Sequence, residues 1–133
     1  MTRMWMIDPR LLCSQHLLGE HNEIHKALGN MRRGRSIEKY LEWGLLDPKL
    51  MCARHRVLIK EFLRRDYPSG ILHKTPITKE DLKAISKYPR GCINLKKNIK
   101  DLIERCSRCR ERILAEKHVI NSMFGKTAVC IIR

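Results

Sequence analysis

Twice in this chain an Asp-Pro pair is followed by apolar residues at helical spacing, and that repetition constrains the fold more than any other feature. After Asp8-Pro9 they recur at Leu11, Leu12, Leu17, Leu18, Ile24, Ala27, Leu28 and Met31; after Asp47-Pro48, at Leu50, Met51, Val57, Leu58, Phe62 and Leu63. An Asp side chain accepts hydrogen bonds from the free N–H groups of a first helical turn. Pro fits the first helical position, where its missing N–H would have had no partner. Steps of three and four bury one stripe of a helix. Each pair is thus expected to open a main helix, the first stopping near Gly29-Asn30 or Gly34, the second at Pro68 and Gly70. A third long pattern starts at Asn94 and runs through Leu95, Ile99, Leu102, Ile103, Cys106, Cys109, Ile113 and Leu114. Two short helices are expected between these, over 36–43 with Ser36 as cap and Gly44 beyond the end, and from Thr78 to Ser86. There Thr78-Lys79-Glu80-Asp81 makes a capping box with Asp in place of Glu. Aromatic residues are only 5% of the chain, which suits helices better than a β-sandwich. The expectation is all-α: residues 1–133 form a single compact domain of three main helices with short extra helices.

Lys and Arg number 28 against 14 Asp and Glu, a net charge of +14. Self-repulsion on that scale points to a polyanionic partner. The excess is uneven. Residues 1–30 balance at zero, 31–65 carry ten basic against four acidic residues, and 66–133 carry fifteen against seven. Basic groups cluster at Arg32-Arg33-Gly34-Arg35, at Arg54, Arg56 and Lys60, and at Lys96, Lys97, Lys100, Arg105, Arg108, Arg110 and Arg112. Together they are expected to contact phosphates, which would give affinity without sequence preference.

No uninterrupted apolar stretch approaches the roughly 18 residues of a membrane span, and the N-terminus lacks the apolar core of a secretion signal. A cytoplasmic setting is therefore expected, with reduced cysteines. Cys106 and Cys109 form a C-x-x-C, but they fall within a helical pattern, and no second C-x-x-C or H-x-H pair completes four ligands. The expectation is buried structural thiols, with no metal and no cofactor.

On the first helix His16, Glu20 and Glu23 stand at i, i+4 and i+7 and share one stripe. The second residue, Thr2, is small enough that Met1 is normally removed, exposing its α-amine. With a reference pKa near 7.7 against about 10.4 for Lys, that amine has a far larger unprotonated fraction near neutral pH. It could attack a sugar C1′ and leave a Schiff base. The apolar segment Met4-Trp5-Met6-Ile7 would anchor the terminus against fraying.

Met1-Thr2-Arg3, Gln15-His16-Leu17 with Glu20 and Glu23, the helix end Arg64-Arg65 and the segment Phe124-Gly125-Lys126 resemble the phage pyrimidine-dimer DNA glycosylase family, often called endonuclease V. Arg3-Met4-Trp5 and Asp8-Pro9 resemble its cellular members. The likeness is densest over residues 2–28. It implies a three-helix domain with the N-terminal segment threaded between helices. It further implies that the Thr2 amine displaces the base at C1′ and that Glu23 handles protons on the opened sugar, assisting β-elimination of the 3′ phosphate. Arg3 matches a phosphate-holding Arg, and His16 a His beside the site. Two further Arg residues of the phage member are replaced here by Asn22 and Lys26, and its aromatic-rich tail by Asn121-Ser122-Met123-Phe124. His21 and His25 are added imidazoles that could read another base edge.

The functional expectation is a monomeric DNA-repair glycosylase with abasic-site lyase activity on damaged or abasic double-stranded DNA, working without a metal. Thr2 and Glu23 are the catalytic candidates. Arg3, His16, Asn22, Lys26, Arg32, Arg33, Arg35 and Lys126 are the substrate- or DNA-binding ones. The alternative is a non-enzymatic basic DNA-binding protein that keeps the same fold.

Overall fold

The computed structural model describes residues 3–66 and 76–116. Both Asp-Pro pairs form the turn their chemistry favours, but a tighter one than a helix start. Asp8 accepts from the Arg10 N–H at 3.0 Å and Asp47 from the Lys49 N–H at 3.1 Å, each capping a single 3-10 turn, Pro9–Leu11 and Pro48–Leu50. The second turn runs straight into α3, Met51–Arg64. After the first, Leu12 and Cys13 are extended, and α1, Ser14–Arg32, begins only beyond them.

Helix α2 covers Glu38–Glu42, shorter than expected, with Ile37 at its N-cap and Gly44 at φ 68° just past its end. Helix α4, Lys79–Ser86, has the full capping box: Thr78 accepts from the Asp81 N–H, and Asp81 accepts from the Thr78 N–H. The third long helix is not continuous. Asn94 caps α5, Leu95–Arg105, by accepting from the Lys97 N–H at 3.1 Å. The chain then breaks at Cys106 (φ −131°, ψ 108°) before α6, Ser107–Ala115. Among the described residues the fold is therefore all-α, as expected, with six helices; what differs is the third long pattern, which this break divides into two helices. No helix among them is long and apolar enough to cross a membrane.

One core joins these elements. Leu17, Ile24 and Leu28 of α1, Leu58 and Phe62 of α3, Ile85 of α4, Ile99 and Leu102 of α5 and Ile113 of α6 are all buried in it. The N-terminal segment is part of that core: Met4 and Ile7 are fully buried. Its backbone is held from two sides. The Met4 N–H donates to the Leu45 carbonyl at 2.8 Å, and the Asn98 amide on α5 donates to the carbonyls of Met4 and Trp5 at 3.1 and 2.9 Å. Just after these anchors Met6 takes a left-handed φ of 58°, a conformation costing a non-glycine residue about 1–2 kcal/mol. The buried residues on either side hold it there. The loop through Leu45 is itself clamped to residues 91–94. The Asn94 N–H donates to the Gly44 carbonyl, and the Gly91 N–H donates to the Asp47 carboxylate. At Gly91 a Cβ would collide with the Leu46 carbonyl oxygen.

Candidate functional site

The stripe of His16, Glu20 and Glu23 divides between two faces of α1. Glu20 is fully buried and forms a bidentate pair with Arg54 of α3, 2.5 and 2.9 Å from its Nε and Nη2. Arg54 is thus an internal counter-charge and not a phosphate contact. His16 and Glu23 instead line a cleft of about 500 Å³ together with Arg3, Trp5, Gln15, Gly19, Arg105 and Cys106. One Glu23 carboxylate oxygen, Oε2, is buried and has no hydrogen-bond partner among the described residues. A buried acceptor left unmatched is costly in a folded protein, and a catalytic role is one of the recognised explanations for it.

Arg3, the first described residue, is held in the wall of this cleft. Its Nη1 donates to Asp101 Oδ2 at 2.8 Å and to Asn98 Oδ1 at 3.2 Å, and its guanidinium lies 4.3 Å from the centre of the Trp5 ring. Burial would raise the Asp101 carboxyl. The Arg3 hydrogen bond and charge outweigh that, helped by Arg105 and Lys97, and hold it below its ordinary value. Trp5 in turn meets His16 edge-on, with ring centres 5.8 Å apart. Burial pushes the His16 imidazole below its ordinary pKa. Its Nδ1 lies 3.3 Å from Cys13 Sγ and 3.6 Å from Cys109 Sγ.

Asn22 and Lys26 are exposed and continue the face of α1 that carries Gln15 and Gly19, one and two turns further along. Thr2 and Lys126 lie outside the described residues. Arg33 and Arg35 are exposed, each donating to Asn30 Oδ1. Arg32 is set apart from them: it is paired with buried Asp81, the capping-box residue of α4. His21 does not face a base edge. It is buried against His25, His55 and Phe62, with ring centres 4.7, 5.0 and 5.7 Å away. Residue spacing missed Arg105 and Cys106 as cleft walls, because about ninety residues separate them from His16 and only the packing of α5 against the N-terminal segment joins them.

The family model for pyrimidine dimer DNA glycosylases matches residues 2–75. No curated protein and no solved structure matches the chain.

Proposed function

The chain belongs to the pyrimidine dimer DNA glycosylase family, DNA-repair enzymes that act on DNA, and we propose that it couples base removal to strand cleavage through a Schiff base on the Thr2 amine. The observation that carries this reading is the pairing of two features in one cleft. Arg3, the residue next to the proposed nucleophile, lines it, and so does Glu23 with its unmatched buried oxygen.

In the proposed reaction the unprotonated amine attacks C1′ of the damaged nucleotide and the base departs with the glycosidic electron pair. Opening of the sugar ring gives an imine. Glu23 then manages the proton lost from C2′ as the 3′ phosphate is expelled, and water hydrolyses the imine to free the amine. No step needs an oxidant or reductant. Arg105, exposed at the cleft edge, and Arg3 supply positive charge where phosphates flank the sugar. Unstacking the target nucleotide comes first, and a damaged or missing base lowers its cost.

The lesion preference proposed is for abasic duplexes over pyrimidine dimers. Asn22 and Lys26 on the face of α1 beside the cleft provide neither planar forks nor stacking surfaces. The test is borohydride trapping on duplexes carrying one defined lesion each. A covalent adduct mapping to residue 2, strongest on abasic DNA and abolished by an extra residue ahead of Thr2, is the expected result. An adduct on a Lys would overturn the nucleophile assignment. No adduct on any duplex would leave a DNA-binding protein without this chemistry.

A further inference from the structure

We propose that Cys13, His16, Cys106 and Cys109 form a structural zinc site that fastens the start of α1 to the α5–α6 junction. The four residues come as two pairs of identical spacing, Cys13-Ser14-Gln15-His16 and Cys106-Ser107-Arg108-Cys109. The second C-x-x-C absent from the sequence is thus supplied as a C-x-x-H more than ninety residues away. Their ligand atoms all lie within 4.8 Å of one another.

The spacing fits a tetrahedron. With Zn–S near 2.3 Å and Zn–N near 2.0 Å, sulfurs sit about 3.8 Å apart and sulfur and nitrogen about 3.5 Å apart. Cys13 Sγ and Cys106 Sγ are 3.8 Å apart, and His16 Nδ1 is 3.3 Å from Cys13 Sγ and 3.6 Å from Cys109 Sγ. A disulfide would need about 2.05 Å, and Cys13, Cys106 and Cys109 form none.

The backbone is arranged for thiolates. The Cys13 N–H donates to Cys109 Sγ at 3.3 Å, and the Cys109 N–H donates to Cys106 Sγ at 3.4 Å. That second contact is the N-cap of α6, so the break at Cys106 both starts the helix and turns the sulfur toward its partners. Three soft sulfurs and one imidazole select zinc over harder cations. Four protein ligands leave no open position, which marks a structural site and not a water-activating one. On binding, the three thiols release their protons to solvent.

The site also assigns His16 a new part. His16 and Cys106 form part of the cleft wall, so the ion would set the shape of that wall while its ligands stay out of the reaction. The inference stands apart from the Schiff-base reading, since neither Thr2 nor Glu23 enters it.

The experiment uses the full chain purified without chelators. The expected result is about one zinc per chain by elemental analysis, released in step with mercurial modification of thiols. Cobalt(II) exchange should give tetrahedral d–d bands with thiolate-to-cobalt charge transfer. Cys109→Ser and Cys13→Ser should each lose most of the bound metal, and Cys52→Ser should keep it. If the ligand variants do not fold, the wild-type cobalt spectrum and thiol-coupled release still decide the matter. Protein that carries no zinc and takes up no cobalt overturns the proposal. So does metal retained in Cys109→Ser, or cobalt bound without thiolate charge transfer, which would place it on the converging imidazoles of His21, His25 and His55.

Discussion

Glu20 and Glu23 stand about one helical turn apart on α1, and they meet opposite surroundings. Glu20 is sealed in the interior with both oxygens on the Arg54 guanidinium. Glu23 sits at the cleft with one oxygen buried and unmatched among the described residues. Residue type and helical spacing make the two look equivalent. The difference is made on the neighbouring helix: α3 places a cation opposite Glu20, and no described residue does the same for Glu23 Oε2. Two carboxylates that look alike in sequence are thus given different surroundings, and only the tertiary structure says which receives the partner.

The largest expected effect tests the consumed member. Glu20→Gln removes the counter-charge of buried Arg54, and breaking a buried pair from one side costs about 3–5 kcal/mol. Urea denaturation should register this as a lowered midpoint. Replacing both partners, Glu20→Leu with Arg54→Met, should recover most of the loss, because no charge is then left stranded. A single variant as stable as the wild type would erase the contrast.

The open member should behave in reverse. Glu23→Gln is expected to leave the unfolding free energy within about 0.5 kcal/mol of wild type, while strand cleavage on an abasic duplex falls roughly 10²-fold or more. Equal loss of cleavage per folded molecule in Glu20→Gln and Glu23→Gln would show that the two differ only in stability.

The same contrast divides the arginine loop. Arg33→Ala with Arg35→Ala should flatten the dependence of log K on log salt for undamaged duplex by about 0.9 for each phosphate no longer neutralised, without destabilising the protein. Arg32→Ala should instead lower stability, since it removes the cation paired with buried Asp81 and leaves that carboxylate, among the described residues, only its capping-box bond to the Thr78 N–H. An unchanged slope in the double variant would show that the loop faces away from DNA.

These outcomes also mark how far residues alone carry the structure. The helical phases, the Thr78 capping box and the Asn94 cap are local, set by side chains within three or four positions, and all are legible in sequence. The break at Cys106 is not. Its flanks contain no Gly or Pro, and Cys106 and Cys109 fit helical spacing as well as they fit a ligand pair. At the break the Cys106 sulfur caps α6 and lies 3.8 Å from Cys13 Sγ, a neighbour more than ninety positions away in sequence. Asp8-Pro9 opens a single 3-10 turn and not the main helix expected of it. Whether the helix follows at once is decided by Leu12 and Cys13, whose extended backbones pack against other elements. In the site, Glu23 and Arg3 are accessible to resemblance and chemistry, whereas Arg54, Arg105 and Asp81 acquire their roles only through neighbours distant in sequence.

The smallest expected effect concerns the buried imidazoles. Burial lowers the pKa of His21 below its ordinary 6.5, against a smaller opposing contribution from Asn22. The unfolded chain therefore gains a proton as pH falls through about 6.5 while the folded chain resists it. Stability should be flat above that pH and decline below it, until the folded-state pKa is passed. His25 and His55 share the cluster. His21→Gln should shrink, without abolishing, the drop in urea midpoint between about pH 7.5 and about pH 5.5. An undiminished drop would assign the acid sensitivity to other groups.

The clamp between the Gly44–Asp47 loop and residues 91–94 has a consequence for how the protein tolerates change. Leu45 receives the Met4 N–H, so the position of the segment around Met4 is inherited, through that loop, from a glycine almost ninety positions downstream. Gly91 lines no part of the cleft, yet any side chain there must push the Leu46 carbonyl aside and with it the strand of backbone on which Arg3 and Trp5 are aligned. A saturation map of activity would therefore show a silent hinge point at Gly91, as intolerant as the residues of the cleft and invisible to any search confined to its walls.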